Sequence, residues 1–194
     1  PESTRTKDGR RVMWAWMING GQPTGVQSLP RELELPKDGI LRIKPLRELR
    51  SLRYDEWMKD RIQVTSGRPY ELPGQKGNAI ELKVTFAAPL PEEFGLHLLT
   101  NKNGQEGLDI VFGAERDSFQ MGTIKPPFDL KAGEDLTLRV FIDKNLVEVF
   151  ANNRQAAAFR HEHIRENPNI SLFTNDEDVM VRELKTWKMK SNKR

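Results

Sequence analysis

Pairs of carboxylates are the first residues in this sequence whose types and spacing could do chemistry. Asp143 and Glu148 flank a turn, and Glu106 lies close to Asp109. Two neighbouring carboxylates can divide acid–base and nucleophilic work when one of them keeps its proton. Asp143 has a simpler role as a turn former, and Glu148 alternates with two valines, as a residue on the wet face of a strand does. We therefore predict that neither pair is catalytic and that Glu148 faces solvent.

The histidines invite a metal interpretation, because His161 and His163 are alternate residues and would share one face of a strand. No third ligand converges on them, and the segment continues as a polar loop to Pro168, so we predict two surface histidines. His97 lies within an apolar run and is predicted to be a packing residue. The chain has no cysteine, which excludes disulfides, thiolate metal sites and a cysteine nucleophile. We predict no metal or cofactor site.

The composition narrows the class of protein. The 194 residues include 31 Lys and Arg against 28 Asp and Glu, a formal charge of only +3, with the basic residues scattered among acids. This balance predicts a solvated surface and no nucleic-acid partner. No apolar run has the length of a membrane span, and Pro1–Arg5 does not resemble a signal peptide. We expect a water-soluble protein of one main domain, in an extracellular, periplasmic or cytoplasmic compartment.

The elements that must position these residues are short strands with period-two hydrophobicity. Residues 80–86 alternate apolar with polar side chains, and in residues 136–142 the aliphatic side chains alternate with Thr137, Arg139 and Phe141. Asn103-Gly104 can supply the positive φ angles of a hairpin turn. Further short strands are predicted around residues 147–149, 156–159, 170–173 and 179–189. Repeated short strands without a sustained helical period indicate an antiparallel sandwich or barrel.

The N-terminal part has a different and more mixed hydrophobic pattern. Gly9–Met17 predicts one strand that carries Trp14 and Trp16 on the same face, and residues 29–43 predict a hairpin that turns at Pro36–Gly39. After it, three leucines recur at helical spacing with Arg47, Arg50 and Arg53 beside them, which fits either a single helical turn or an irregular strand. For this arginine stripe the default prediction is a solvated face, and the alternative is contact with an acidic partner or a neighbouring domain.

Three segments resemble glycoside hydrolase family 32, the invertase, levanase and inulinase type. Gly9–Met17 is similar to the Gly-Arg-Arg to Trp-Met strand of the last propeller blade in that family. Gly25–Leu33 is similar to its Gly-Val-x-Ser-Leu-Pro-Arg-Glu-Leu segment, and Leu138–Asn152 to the hairpin that ends in Val-Glu-Val-Phe-Ala-Asn. The three occur in the family's order and span nearly the whole chain.

The resemblance implies an all-β fold: an antiparallel two-sheet β-sandwich of the concanavalin A-like jelly-roll type, preceded by a strand left over from a β-propeller. It divides the chain into residues 1–28, a remnant of the last blade with a linker, and residues 29–194, the sandwich domain. The family's five-bladed propeller holds the active site, so the missing propeller is the expected partner. The arginine stripe would then lie near the junction of the two domains.

The resemblance also implies a retaining hydrolysis of β-fructosyl linkages, as in sucrose, levan or inulin, by an Asp nucleophile and a Glu acid. The family's Trp-Met-Asn-Asp-Pro-Asn, Arg-Asp-Pro and Glu-Cys motifs are absent from this sequence. We therefore predict no catalytic residue in this chain and no activity of the chain alone. Its expected role is structural or accessory, with a homo-oligomer as a further expectation.

Trp16 is the one predicted substrate-binding residue. The resemblance places a tryptophan of this strand at the edge of the fructose pocket, where an indole can cover a furanose ring. The alternative for Trp16 is packing within the blade, and Trp14 is predicted to pack. A different function, a lectin-like module that grips fructan on its concave face, would need exposed aromatic side chains on adjacent strands. The aromatic residues available for it mostly fit the core better: Tyr70, Phe112, Phe119, Phe141 and Trp187.

Overall fold

The computed structural model describes residues 1–17, 25–75, 77–101, 103–162 and 168–190. Within these ranges the chain forms strands and a single 3₁₀ helix, Arg47–Leu52. No helix in these ranges is long and apolar enough to cross a membrane. The strands are β1 Glu2–Arg5, β2 Arg11–Trp14, β3 Trp16–Met17, β4 Val26–Gln27, β5 Arg31–Glu34, β6 Arg42–Pro45, β7 Arg53–Val64, β8 Tyr70–Glu71, β9 Ala79–Phe86, β10 Phe94–Thr100, β11 Leu108–Phe112, β12 Phe119–Met121, β13 Leu136–Asp143, β14 Leu146–Ala151, β15 Gln155–Arg160, β16 Asn169–Thr174 and β17 Val179–Met189.

Two antiparallel sheets form the sandwich. The six-stranded sheet has the order β15-β14-β13-β9-β17-β7, and the five-stranded sheet has the order β12-β11-β10-β16-β8. Neither sheet closes on itself, so the barrel alternative is excluded and the predicted two-sheet antiparallel β-sandwich is confirmed.

The core lies between the two sheets and follows from the period-two pattern. On β9 the inward-facing Ile80, Leu82, Val84 and Phe86 are each at most 2% exposed. Backbone also approaches backbone closely on the five-stranded sheet, where a Cβ on Gly95 would lie 1.8 Å from the carbonyl oxygen of a residue on β11. The sequence places glycine at this point because no larger residue fits.

The outer face of the six-stranded sheet is covered, which corrects one prediction. Glu148 on β14 is 1% exposed and Glu81 on β9 is fully buried, although both occupy the polar positions of their strands. The prediction that Glu148 faces solvent is wrong, because the N-terminal part of the chain folds over this face. The polar face of these strands is therefore a second buried layer, beneath the N-terminal part of the chain.

The N-terminal residues form a four-stranded antiparallel sheet, β1-β2-β5-β6, which we call the N-terminal sheet, and a two-stranded ribbon, β3-β4. The predicted hairpin of residues 29–43 is confirmed as β5 and β6. The strand predicted over Gly9–Met17 is interrupted at Ala15, whose N–H donates to the Ser28 hydroxyl and whose carbonyl accepts the Ser28 N–H. The N-terminal sheet thus contains strands from both sides of residues 28 and 29, and the domain division there remains a proposal about the origin of the segments.

The arginine stripe lies on and just after the 3₁₀ helix, which decides between the two predicted conformations in favour of a helical turn. Arg47 and Arg50 are exposed, as the solvated-face prediction requires. That prediction is wrong for Arg53, whose side chain is 18% exposed and turns onto the six-stranded sheet. There it meets a buried carboxylate.

Candidate functional site

An ion pair joins the N-terminal sheet to the sandwich. Arg31 on β5 donates from Nη2 to Oε2 of Glu148 at 2.8 Å, and the Leu29 N–H donates to Oε1 of the same carboxylate at 2.5 Å. The two side chains are 9% and 1% exposed. The Arg31 guanidinium also lies 5.5 Å from the ring centre of Phe150. Burial raises the pKa of the Glu148 carboxyl, against the opposing effect of these two donors.

Glu32, the next residue on β5, fixes the 3₁₀ helix against the N-terminal sheet. Its carboxylate accepts the Arg47 N–H at 2.9 Å and the Arg47 guanidinium at 2.8 and 2.9 Å. Arg10 approaches the same carboxylate at 3.1 Å and pairs with Glu48 at 2.6 Å. The hydrogen bond from Arg47 lowers the pKa of Glu32 to about 2. This carboxylate is therefore ionised at any ordinary pH.

Glu81 is the centre of a third network, on the outer face of the six-stranded sheet. Arg53 donates to its two oxygens at 2.7 and 2.5 Å, and Arg139 on β13 donates to Oε1 at 2.5 and 3.0 Å. Glu81 is fully buried. Arg53 also stacks on Trp187, with its guanidinium carbon 4.0 Å from the ring centre. One carboxylate thus balances two guanidinium groups.

An open cavity of about 1000 Å³ lies between the N-terminal sheet, the 3₁₀ helix and the outer face of the six-stranded sheet. We call it the basic cleft, because cationic side chains dominate its lining. The acidic side chains that reach it are Glu32 and Glu34. The lining also includes one hydroxyl side chain and several cations from the 3₁₀ helix and the six-stranded sheet: Arg50, Arg53, Lys83, Thr137, Arg139 and Lys185.

The carboxylates around the basic cleft are poorly suited to acid–base catalysis. Glu32 and Glu81 are held by guanidinium groups, and Glu34 pairs with Lys44. Glu148 has the raised pKa that a general acid needs, but it is buried under Leu29 and Arg31. A glycosidase-type pair needs one accessible ionised carboxylate and one accessible protonated one. The carboxylates of the cleft do not supply that combination.

Trp16 lies on β3, opposite Gln27 of β4, and its side chain is the most exposed tryptophan at 61%. The indole packs directly over Gly25, where a Cβ would lie 2.2 Å from Nε1. Trp14 is half-buried on β2. The exposure leaves one indole available to a ligand, and the role of Trp16 in binding fructose stays a prediction.

The histidine predictions have separate outcomes. His97 stacks on Phe173 with ring centres 4.1 Å apart, and its Nδ1 lies 2.6 Å from Oδ1 of Asp109, so its packing role is confirmed. His163 lies outside the described residues. Within the described ranges, no three His, Asp or Glu side chains cluster as metal ligands.

The aromatic side chains considered for a lectin-like platform are mostly internal. Phe112 and Phe119 are each 1% exposed, Phe141 is 5% and Trp187 is 7%, while Tyr70 is half-buried. The prediction that most of them pack in the interior is confirmed. Phe112 and Phe119 stack in the core, and Phe141 lies edge-on to Phe150 beneath the N-terminal cover.

Residues 46–188 match the family model for "Glycosyl hydrolases family 32 C terminal". The match covers well over half of the chain. This chain belongs to the C-terminal family of the family 32 glycosyl hydrolases.

Several proteins resemble this chain, which we call the family 32 module, along most of its length. It is 27% identical to the raffinose invertase of Escherichia coli over 96% of the module and 41% of that protein. It is 26% identical to the levanase of Bacillus subtilis over 91% of the module and 30% of that protein. The crystal structure of fructan 1-exohydrolase IIa from Cichorium intybus superposes with a TM-score of 0.82 at 21% identity, over 99% of the module and 48% of that chain. The module therefore spans less than half the length of each of these proteins.

Two of the segments that carry the resemblance contact each other in the structure. Arg31 belongs to the Leu-Pro-Arg-Glu-Leu segment and Glu148 to the Val-Glu-Val-Phe-Ala-Asn segment, and the two form one buried pair. Sequence reasoning missed this pair and the network around Glu81. A signal was available, because Phe141, Phe150 and Trp187 occupy the same strand faces as these charges. Large aromatic residues on a polar strand face indicate that something covers it.

Proposed function

We propose that the family 32 module is the non-catalytic C-terminal part of an enzyme that hydrolyses β-fructosyl linkages by a retaining mechanism. The catalytic carboxylates would come from a propeller on a preceding segment or on a separate chain. The family match and the names of the similar invertase and levanase support this substrate class. The module would act as a structural accessory to that propeller.

The main support for the proposal is that the carboxylates of the cleft are already bound in ion pairs. Every carboxylate placed above on the basic cleft or beneath its cover is paired with a guanidinium or an ammonium group. If Glu81 or Glu148 gave up its partner to act as a nucleophile, a largely buried guanidinium group would lose its counter-charge. The absence of the family's three catalytic motifs from the sequence supports the same conclusion.

The structural role is supported by the way the module holds its own N-terminal sheet. The Arg31–Glu148 pair is buried. Across the same junction the Ile43 N–H donates to the Asn153 carbonyl, and the Leu29 N–H donates to the Glu148 carboxylate. We propose that residues 1–28 derive from the last propeller blade and that the sandwich buttresses this blade through the junction. Trp16 would then face the fructose pocket of the complete enzyme.

Measuring fructose release by the purified module tests the catalytic part of the proposal. With sucrose, levan and inulin as substrates, we expect no release above a buffer control. The two carboxylates that line the basic cleft are the ones to vary, so the matched variants are Glu32→Gln and Glu34→Gln. Release that scales with the module concentration and disappears in either variant would contradict the proposal.

Binding of fructan without hydrolysis is the alternative function. Isothermal titration of the module with levan and inulin oligosaccharides tests it, and Trp16→Phe is the variant of interest because Trp16 is the most exposed aromatic residue described. The structural-accessory proposal predicts no heat at millimolar sugar. Heat that is abolished in Trp16→Phe would favour the binding module, with Tyr54→Phe as a control at a second exposed aromatic residue.

A further inference from the structure

A row of three cations crosses the floor of the basic cleft. Arg139, Lys83 and Lys185 are direct cross-strand partners on the adjacent strands β13, β9 and β17. Direct partners share one face of a sheet, and neighbouring strands lie about 4.8 Å apart, so the row spans roughly 10 Å. Like charges in direct opposition destabilise a sheet unless something neutralises them.

The carboxylates near the row neutralise only part of its charge. Glu183 pairs with Lys83 at 2.5 Å and with Lys185 at 2.7 Å, so one carboxylate serves two ammonium groups. Glu81 likewise serves both Arg53 and Arg139. Each of these two carboxylates is thus shared by two cations at the floor of the cleft, and Glu56 and Asp60 act on Lys185 from beyond ion-pair distance.

Arg50 adds a further positive charge from the 3₁₀ helix, which forms one wall of the basic cleft. It is exposed on the 3₁₀ helix and has no ion-pair partner among the described residues. Burial lowers the pKa of the Arg139 guanidinium, and the charges of Arg53 and Arg50 lower it further, so the three guanidinium groups interact. Arg50 therefore adds one more cation to this end of the cleft without adding a carboxylate.

We propose that the basic cleft is a binding site for a phosphorylated small molecule, whose phosphate group lies against Arg50, Arg139, Lys83 and Lys185. Guanidinium groups bind tetrahedral oxyanions through paired N–H donors, and lysines add mobile point charges. The cavity of about 1000 Å³ is much larger than a phosphate ion. The body of the ligand has room beside Thr137 and Trp187, which also line the cleft. The proposal does not depend on hydrolysis by the complete enzyme.

Isothermal titration of the purified module with inorganic phosphate tests the proposal. The titration is run at constant ionic strength with chloride as the balancing anion, because salt screens exposed charges. We expect saturable binding with a dissociation constant in the low millimolar range, and tighter binding of fructose 6-phosphate. Fructose itself is not expected to bind at the same concentrations. No saturable heat up to about 20 mM phosphate, an affinity too weak to count as a site, overturns the proposal.

Two variants keep the test specific. Arg50→Gln removes an unpaired exposed cation, and Lys185→Gln leaves Glu183 its second partner, Lys83. Each is expected to fold as the wild type does by circular dichroism and to weaken phosphate binding about tenfold, the effect of losing one charge-assisted hydrogen bond. Arg68→Gln makes the same change in net charge at an exposed position away from the cleft and is expected to bind normally. Equal weakening in all three variants, or equal binding of fructose and fructose 6-phosphate, contradicts the proposal.

Discussion

Replacing Glu148 by glutamine removes the charge that holds Arg31 while keeping the size of the side chain. In the folded protein the carboxylate accepts one bond from the Leu29 N–H and one from Arg31. A glutamine carbonyl can accept either bond, but its amide group cannot accept the other. The guanidinium of Arg31, 9% exposed and already with an unpartnered Nε, would then remain without a counter-charge.

The expected loss follows from two opposing effects. Removing one partner of a buried ion pair costs about 3–5 kcal/mol, because the other charge stays buried. Burial raises the pKa of Glu148, so the carboxylate itself carries a desolvation cost that glutamine avoids. We therefore expect a decrease of about 2–3 kcal/mol in the free energy of unfolding, at or just below the lower limit of that range.

Urea unfolding followed by circular dichroism measures this effect. With an m-value of about 2–3 kcal/mol/M, the midpoint should fall by about 1 M. Asp143→Asn is the matched control, because it removes an exposed carboxylate from the same hairpin and should change the free energy of unfolding by less than about 0.5 kcal/mol. A Glu148→Gln variant as stable as the control would refute the assignment of this pair as the junction.

Three further predictions concern other parts of the fold. Because Arg47 holds the folded pKa of Glu32 at about 2, the stability from this pair is present above pH 4.5 and is lost as pH falls towards 2. Solvent screening at Arg47 limits it to about 1 kcal/mol, and urea midpoints across this range should depend less on pH in Glu32→Gln than in the wild type. Gly25→Ala should displace the Trp16 indole from its contact with Gly25, seen as a shift of the Trp16 indole N–H resonance with that of Trp187 unchanged. Gly95→Ala, which drives a Cβ into a backbone carbonyl, should cost several kcal/mol by thermal unfolding, whereas Gly113→Ala meets no atom within 4 Å and should cost less than about 1 kcal/mol.

The local pattern of hydrophobic residues and turn residues was sufficient to predict the strands of the sandwich. The alternation of residues 80–86 and 136–142 predicts both the strands and their inward faces, because a strand side chain has only two sides to face. The Asn103-Gly104 turn similarly indicates that β10 and β11 pair, as they do. Period-two hydrophobicity therefore identified one buried face of the six-stranded sheet.

The same patterning could not reveal the second buried layer. Alternation says that Glu81 and Glu148 face away from the core, but it does not say what lies on that side. The residues that cover Glu148 are more than a hundred positions away from it in the sequence. Arg31 therefore contacts Glu148 only in the folded chain. Arg53 was misassigned to solvent for the same reason. Trp16, by contrast, was singled out by residue type, and its ligand remains to be tested.

The central structural claim is that the junction makes the N-terminal sheet and the sandwich one cooperative unit. Native-state hydrogen exchange measures it directly, by comparing the Val12 amide of β2 with the Leu82 and Val140 amides of the sandwich core. We predict that Val12 opens with a free energy within about 1 kcal/mol of the core amides, and that Glu148→Gln lowers the value for Val12 more than for the core. Rapid exchange of Val12 in the wild type, with the core still protected, would show that the sheet opens independently and would contradict the claim.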